Sequence, residues 1–131
     1  MSEIQIDSQD FHSPYTKTEK GKAGIIATAS ENDWFKISHT FTPNTLYLVK
    51  LDYEDINSYG EIYFSYGETT SINIDNKQIY IIFKAKENNT LNLNLKSFES
   101  LPYQVNLKHI MVINTTGLNL GEEDIPYLPF I

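Results

Sequence analysis

Cysteine is missing from this chain, which excludes disulfides, cysteine-rich zinc sites and a thiol nucleophile. Positive charge is scarce: ten Lys and Arg stand against seventeen Asp and Glu, for a net charge of −7. Such a surface repels phosphate backbones and anionic lipid, so nucleic acid and membrane are poor partners. No apolar run approaches the roughly 20 residues that span a bilayer. The start, Met1-Ser2-Glu3-Ile4-Gln5, lacks the basic and apolar pattern of a signal peptide. The expectation is a soluble chain with no membrane insertion, whose export, if any, depends on something else.

Catalytic patterns are equally sparse. The chain has no Gly-x-Ser-x-Gly elbow, no phosphate-cradling glycine loop and no dinucleotide fingerprint. Lys20-Gly21-Lys22-Ala23-Gly24 reads as a short flexible basic stretch. The three histidines, His12, His39 and His109, lack metal-ligand spacing, and His39 falls on an alternating inner face, where a hydrogen-bonded core histidine is the expected role. Glycoside hydrolysis needs two carboxylates flanking the sugar bond. Glu54-Asp55 and Glu122-Glu123-Asp124 read instead as solvated turns, and no Asp-x-Asp-x-Asp-Gly calcium loop occurs. The expectation is a protein that is not an enzyme and takes no cofactor and no metal.

What the chain does have is a strong period of two. Its 131 residues, 40 % hydrophobic and 13 % aromatic, suffice for one domain with a real core. In Leu91–Ser97, leucines at 91, 93 and 95 alternate with Asn92, Asn94 and Lys96. Alternate strand side chains face opposite ways, so the leucines turn inward and the polar set outward. The same reading gives inner faces Phe35, Ile37, His39 and Phe41 in Trp34–Phe41, and Tyr47, Val49, Leu51 and Tyr53 in Leu46–Tyr53. It gives Ile62, Phe64 and Tyr66 in Glu61–Tyr66, and Ile79, Ile81 and Phe83 in Gln78–Lys84. Shorter strands are expected at Glu3–Asp7, Gly24–Thr28 and Ser71–Ile74. Turn residues fall between them, at Pro43-Asn44, Asn57–Gly60, Gly67-Glu68, Asp75–Lys77, Glu87–Asn89 and Leu101-Pro102. Many short strands with one apolar face each need a second layer. The chain is therefore read as all-β, a single two-sheet antiparallel β-sandwich over residues 1–131.

In Gln104–Ile113, Val105 and Leu107 share one face while Ile110 and Val112 fall on the other. A one-residue β-bulge near Lys108-His109 returns all four to the core, and is the expectation; a strand buried on both faces is the alternative. Beyond it, residues 114–131 read as an irregular tail. Its Tyr127-Leu128-Pro129-Phe130-Ile131 end is apolar enough to pack on the sandwich or on a neighbour.

With the inner faces assigned, Trp34, Tyr63 and Tyr80 point away from the core, and Tyr59 and Tyr103 fall in loops. Glu61, Asn92, Asn94 and Lys96 accompany them outward. Aromatic faces stack on the C–H side of sugar rings while amides and carboxylates bond hydroxyls, so such a surface suits a carbohydrate. Trp34, Tyr59, Glu61, Tyr63, Tyr80, Asn92 and Asn94 are the candidate site. The plainer reading is that tyrosine is simply a good strand former.

Three stretches carry a family resemblance: Phe41-Thr42-Pro43-Asn44-Thr45-Leu46-Tyr47-Leu48-Val49-Lys50-Leu51, the pair Ile79–Ala85 and Leu91–Leu95, and Val105-Asn106-Leu107-Lys108-His109-Ile110-Met111-Val112. In order, they resemble the Thr-x-Tyr strand, the following hairpin and the closing strand of carbohydrate-binding-module jelly rolls. The Asn-rich composition and trailing Pro-Tyr-Leu-Pro-Phe-Ile are similar to such modules in tail and baseplate proteins of phages of Gram-positive bacteria. The resemblance covers roughly residues 34–131 and consists mostly of strand grammar. It implies a galactose-binding-like jelly roll, a virion or cell-surface location, and a phage adhesion component whose partner is host cell-wall saccharide or another glycan. Many of these modules place a calcium-ligating Asp in the closing strand. Here Lys108 and His109 stand at the matching positions, and an ammonium cannot ligate calcium, so that metal does not carry over. The alternative function is a virion assembly or decoration domain that contacts other virion proteins or its own copies.

Overall fold

A computed structural model describes residues 2–4, 11–12, 16–21, 24–74 and 77–118. Eleven strands appear in it: β1 Ser2–Ile4, β2 Thr16–Gly21, β3 Gly24–Ala29, β4 Asp33–Lys36, β5 Leu46–Asp55, β6 Gly60–Tyr66, β7 Thr69–Thr70, β8 Ile72–Asn73, β9 Gln78–Lys84, β10 Leu91–Ser97 and β11 Tyr103–Asn114. They form two antiparallel sheets. The larger runs β2-β3-β11-β5-β9-β8, with β1 also paired to β11; the smaller runs β4-β10-β6-β7. Along the chain the strands cross repeatedly between the sheets, β3, β5, β8, β9 and β11 lying in the larger and β4, β6, β7 and β10 in the smaller, a two-sheet β-sandwich. No helix among the described residues is long and apolar enough to cross a membrane.

The core follows the alternation. Leu91, Leu93 and Leu95 of β10, Ile62, Phe64 and Tyr66 of β6 and Phe35 of β4 face Val49, Leu51 and Tyr53 of β5, Ile79, Ile81 and Phe83 of β9 and Val105 and Leu107 of β11. The Tyr66 and Phe83 rings stack at 4.1 Å between centroids, joining the two layers. The buried tyrosines keep their polar tips satisfied: Tyr47 Oη accepts from the Thr42 amide at 2.8 Å and Tyr66 Oη from the Lys86 amide at 2.7 Å.

β11 carries the expected bulge. Leu107 pairs with Tyr53 but His109 pairs with Asp52, so Lys108 is the extra residue. It sits where β11 exchanges one neighbour for another. Residues Tyr103–Leu107 pair with β3, whereas Ile110–Val112 pair with β1 along the same edge. The bulge puts Ile110 and Val112 in the main core. The alternative holds as well, because Met111 and Ile113 are buried on the opposite face with Leu48 and Tyr80. Lys50, paired with Tyr80 on one side and Met111 on the other, shares that face and is fully buried. Burial lowers its pKa, and Asp52 opposes the shift.

Several expectations need correction. The strand expected over Trp34–Phe41 ends at Lys36; Ile37 keeps one backbone bond to Leu91 O, and His39 and Phe41 are half-buried. Of the basic stretch, Lys20 and Gly21 end β2 and Gly24 begins β3, with Gly21 paired to Gly24; residues 22–23 lie outside the described residues. β2 itself was not expected, because Thr16-Lys17-Thr18-Glu19-Lys20 is polar throughout. Glu54 and Asp55 are not a turn but the last residues of β5. Of the N-terminal strand, residues 5–7 lie outside the described residues. So do residues 119–131, which hold the apolar end of the tail and Glu122-Glu123-Asp124. Thr115, the first residue after β11, is tied to Leu46 O by its amide at 3.0 Å and its hydroxyl at 2.8 Å.

Gly60 is required by crowding. A Cβ there would lie 2.4 Å from Lys96 O and 2.5 Å from Tyr103 Cγ. Gly67 is required by its backbone, with φ of 57° in the β6–β7 turn, while a Cβ there would meet only Asn89 Nδ2 at an ordinary contact distance of 3.7 Å. Gly60→Ala is expected to cost about 2–3 kcal/mol through overpacking. Gly67→Ala is expected to cost only about 1 kcal/mol, the penalty of a left-handed non-glycine residue. Urea denaturation of the two variants checks the ranking.

Candidate functional site

The small sheet buries one face and leaves the other open, and its register decides which outward side chains meet. Asn94 of β10 pairs with Trp34 of β4 on one side and Tyr63 of β6 on the other. These three make one row across the sheet. Lys36, Asn92 and Ser65 make the next, and Lys96 with Glu61 the one before. Strands lie about 4.8 Å apart, so Trp34 and Tyr63 stand about 10 Å from each other across Asn94.

The row has fixed geometry. The Asn94 amide donates to Tyr63 O at 3.1 Å and to Ser65 Oγ at 2.9 Å. Both amide hydrogens are thus engaged, and Oδ1 is left to accept from a ligand hydroxyl. Trp34 is 45 % exposed, and the His12 ring stacks on it at 5.1 Å with planes 27° apart. The His12 amide also bonds Trp34 O at 3.1 Å, so the segment before β2 braces the indole. On the inward side, Asp33 is buried, with Oδ1 accepting from the Trp34 amide at 2.8 Å. Glu61 and Lys96 face each other at 4.0 Å, each about half exposed, a separation at which water screens most of the attraction.

Tyr59 stands beside this face rather than on it. It is exposed in the β5–β6 loop, and its carbonyl accepts from the Phe98 amide at 2.7 Å. Asn57 Oδ1 accepts from the Tyr59 amide at 3.1 Å, and Asn57 Nδ2 donates to Pro102 O at 3.0 Å, which locks the two loops together. In the adjoining turn, Glu99 and Ser100 have φ of 54° and 59°. Two consecutive left-handed non-glycine residues cost about 1–2 kcal/mol each. This turn sets exposed Phe98 and Leu101 next to Tyr59.

Of the expected site residues, then, Trp34, Glu61, Tyr63, Asn92 and Asn94 share one surface and Tyr59 borders it. Tyr80 does not belong. It lies on the outer face of the other sheet and is 5 % exposed, packed with Leu48, Met111 and Ile113. Outward orientation was read correctly, but the outer face of the large sheet is itself covered at this point. Tyr103 is not in a loop; it begins β11 and is fully buried. Its spacing from Val105 and Leu107 already carried that information. Sequence reasoning also missed His12, whose place against Trp34 depends on a contact across the fold, and Asp55.

Asp55 takes part in a cleft at the open edge of β6, about 400 Å³ in volume and lined by Tyr53, Asp55, Glu61, Tyr63, Ser71 and Asn73 among others. Tyr103 forms part of the support beneath it, its hydroxyl donating to Asp55 Oδ1. Burial raises the Tyr103 pKa, and the Asp55 hydrogen bond and the charges of Asp55 and Glu61 raise it further. Among the described residues no group of three or more His, Asp or Glu side chains is placed to hold a metal ion.

The raised Tyr103 pKa has a defined sign. Above the ordinary tyrosine value of 10.0 the unfolded chain releases a proton that the folded protein keeps, so stability falls as pH rises past that point. Tyr103→Phe is expected to lower stability by about 1–2 kcal/mol at neutral pH, through loss of a bond to a charged acceptor. The variant is also expected to show a shallower alkaline decline. Denaturation midpoints between neutral and strongly alkaline pH measure both effects.

No protein-family model matches the chain, and no curated protein matches it in sequence.

Proposed function

We propose that the protein is a non-catalytic carbohydrate-binding module whose binding surface is the outer face of the small sheet. The observation that carries this is the row Trp34–Asn94–Tyr63, two aromatic rings flanking an amide whose orientation the sheet fixes. An exposed indole gives a sugar ring an apolar stacking face, and the amide oxygen and Glu61 accept its hydroxyls. Lys36, Lys96 and Ser65 supply donors around them. Host cell-wall saccharide as the ligand, and a phage tail or baseplate as the setting, rest on the resemblance of residues 34–131 to phage-borne modules. Calorimetry against solubilised cell-wall polysaccharide tests the reading. Trp34→Ala and Tyr63→Ala are each expected to weaken binding at least about tenfold, equal to 1.4 kcal/mol, without unfolding the protein. Tyr80→Ala is expected to lower stability by about 3 kcal/mol and to leave the affinity of the folded protein unchanged. Equal affinity in wild type, Trp34→Ala and Tyr63→Ala contradicts the proposal.

A second reading is favoured by a different surface. Exposed Leu46, Ile72 and Ile82 rim the buried Leu48–Tyr80–Met111–Ile113 cluster on the outer face of the large sheet. Exposed apolar side chains of this kind, ringing a cluster that is already buried, suit contact with another copy in a virion assembly. Light scattering is expected to show an oligomer that Ile72→Asp with Ile82→Asp dissociates; a monomeric wild type opposes this reading.

A further inference from the structure

The platform does not end at Tyr63. β7 pairs with β6 only at Ser65 and Tyr66, and Ser71 extends that contact to Phe64, whose amide donates to Ser71 Oγ at 2.9 Å and whose carbonyl accepts from the Ser71 amide at 3.0 Å. Here the chain leaves the small sheet, and Asn73 of β8 pairs with Ile79 in the large one. Below this crossover no described strand continues along β6. Strand peptide groups alternate in direction, and those of Phe64 point to this edge. The amide and carbonyl of Ile62 therefore point the same way, into the cleft that Ile62 helps to line. Opposite them stand Tyr53 and Asp55 of β5 and Asn73 of β8, and Glu61 and Tyr63 form the rim shared with the platform.

We infer that this cleft is an end subsite of the same saccharide surface, and that it takes an uncharged, hydroxyl-bearing ring and rejects anionic sugars. The inference rests on the platform reading and adds the ligand's charge class to it. Among the described residues lining the cleft, the charged side chains are the carboxylates Asp55 and Glu61, so a uronate or phosphate entering it meets like charge from these walls, offset only in part by Lys96, which stands 4.0 Å from Glu61 at the rim. The groups on offer are mixed: the Ile62 amide donates, while the Ile62 carbonyl and the carboxylates accept. A hydroxyl both donates and accepts and so can satisfy either kind, whereas an anion only accepts and an ammonium only donates. A volume of about 400 Å³ lies at the small end of the range for bound organic ligands, about 300–1,000 Å³. An added peptide strand fits less well, because the Ser71 crossover closes the edge after a few residues.

The test is an amide NMR titration of the full chain with chitotetraose and cellotetraose as neutral probes and tetragalacturonate as the anionic one. A neutral probe is expected to shift the Ile62 and Asn73 amides together with the Trp34 indole N–H, along one saturation curve. Tetragalacturonate is expected to leave Ile62 and Asn73 unmoved. Asn73→Phe, which fills the cleft from an exposed position, is expected to weaken the responding tetramer about tenfold while a single sugar still shifts the Trp34 indole. Shifts at Trp34 without Ile62 and Asn73 overturn the cleft and keep the platform. Shifts at Ile62 and Asn73 without Trp34 overturn the platform, and with it the view of the cleft as its end. No response to either neutral probe overturns both, and an equal response to tetragalacturonate overturns the charge selectivity.

Discussion

The burial of Leu91, Leu93 and Leu95 against the large sheet is the constraint on which the rest of the surface depends. β10 lies at the centre of the small sheet, between β4 and β6, so the register that buries its leucines also dictates what stands on the outer face. A slip of one residue on either side would turn an apolar set outward. Burial of the leucines thus places Asn94 between Trp34 and Tyr63, and Asn92 between Lys36 and Ser65. The functional surface proposed for this protein is the reverse side of its own core.

That coupling explains why much of the site was legible in the sequence. Alternation around three leucines identifies Asn92, Asn94 and Lys96 as outward without knowledge of partners. The same rule places Trp34, Glu61 and Tyr63 outward on their own strands, and the register then brings them together. Legibility ends where a residue's surroundings depend on another layer. Tyr80 points outward by the same rule yet is buried, because the outer face of the large sheet carries its own apolar cluster with Leu48, Met111 and Ile113. Leu48 and Lys50 shared that ambiguity; alternation reports which way a side chain points, not whether water reaches it. β2 escaped for the opposite reason. As an edge strand with charged side chains it has little periodicity to read.

The bulge shows sequence and structure agreeing for a reason neither gives alone. The change of parity between Leu107 and Ile110 predicts an extra residue, and Lys108 is that residue. Its purpose is visible only in three dimensions, where β11 passes from β3 to β1 along one edge. At the other end of the strand, Tyr103 couples the core to the cleft by holding Asp55 beneath the crowded Gly60. A carboxylate that looks like part of a solvated turn in sequence is in fact positioned by a buried phenol. The distinction between a solvated loop acid and an acid held in a cleft lay in a contact 48 residues away along the chain.

Trp34 is the single tryptophan of the chain, so its emission reports on the platform alone. Titrating its fluorescence with solubilised cell-wall polysaccharide is the most direct measurement of whether this face binds sugar. The account predicts a saturable change in intensity or wavelength that a competing soluble oligosaccharide reverses. Unchanged emission while the same polysaccharide binds the protein by calorimetry would contradict it, since binding would then lie elsewhere on the fold.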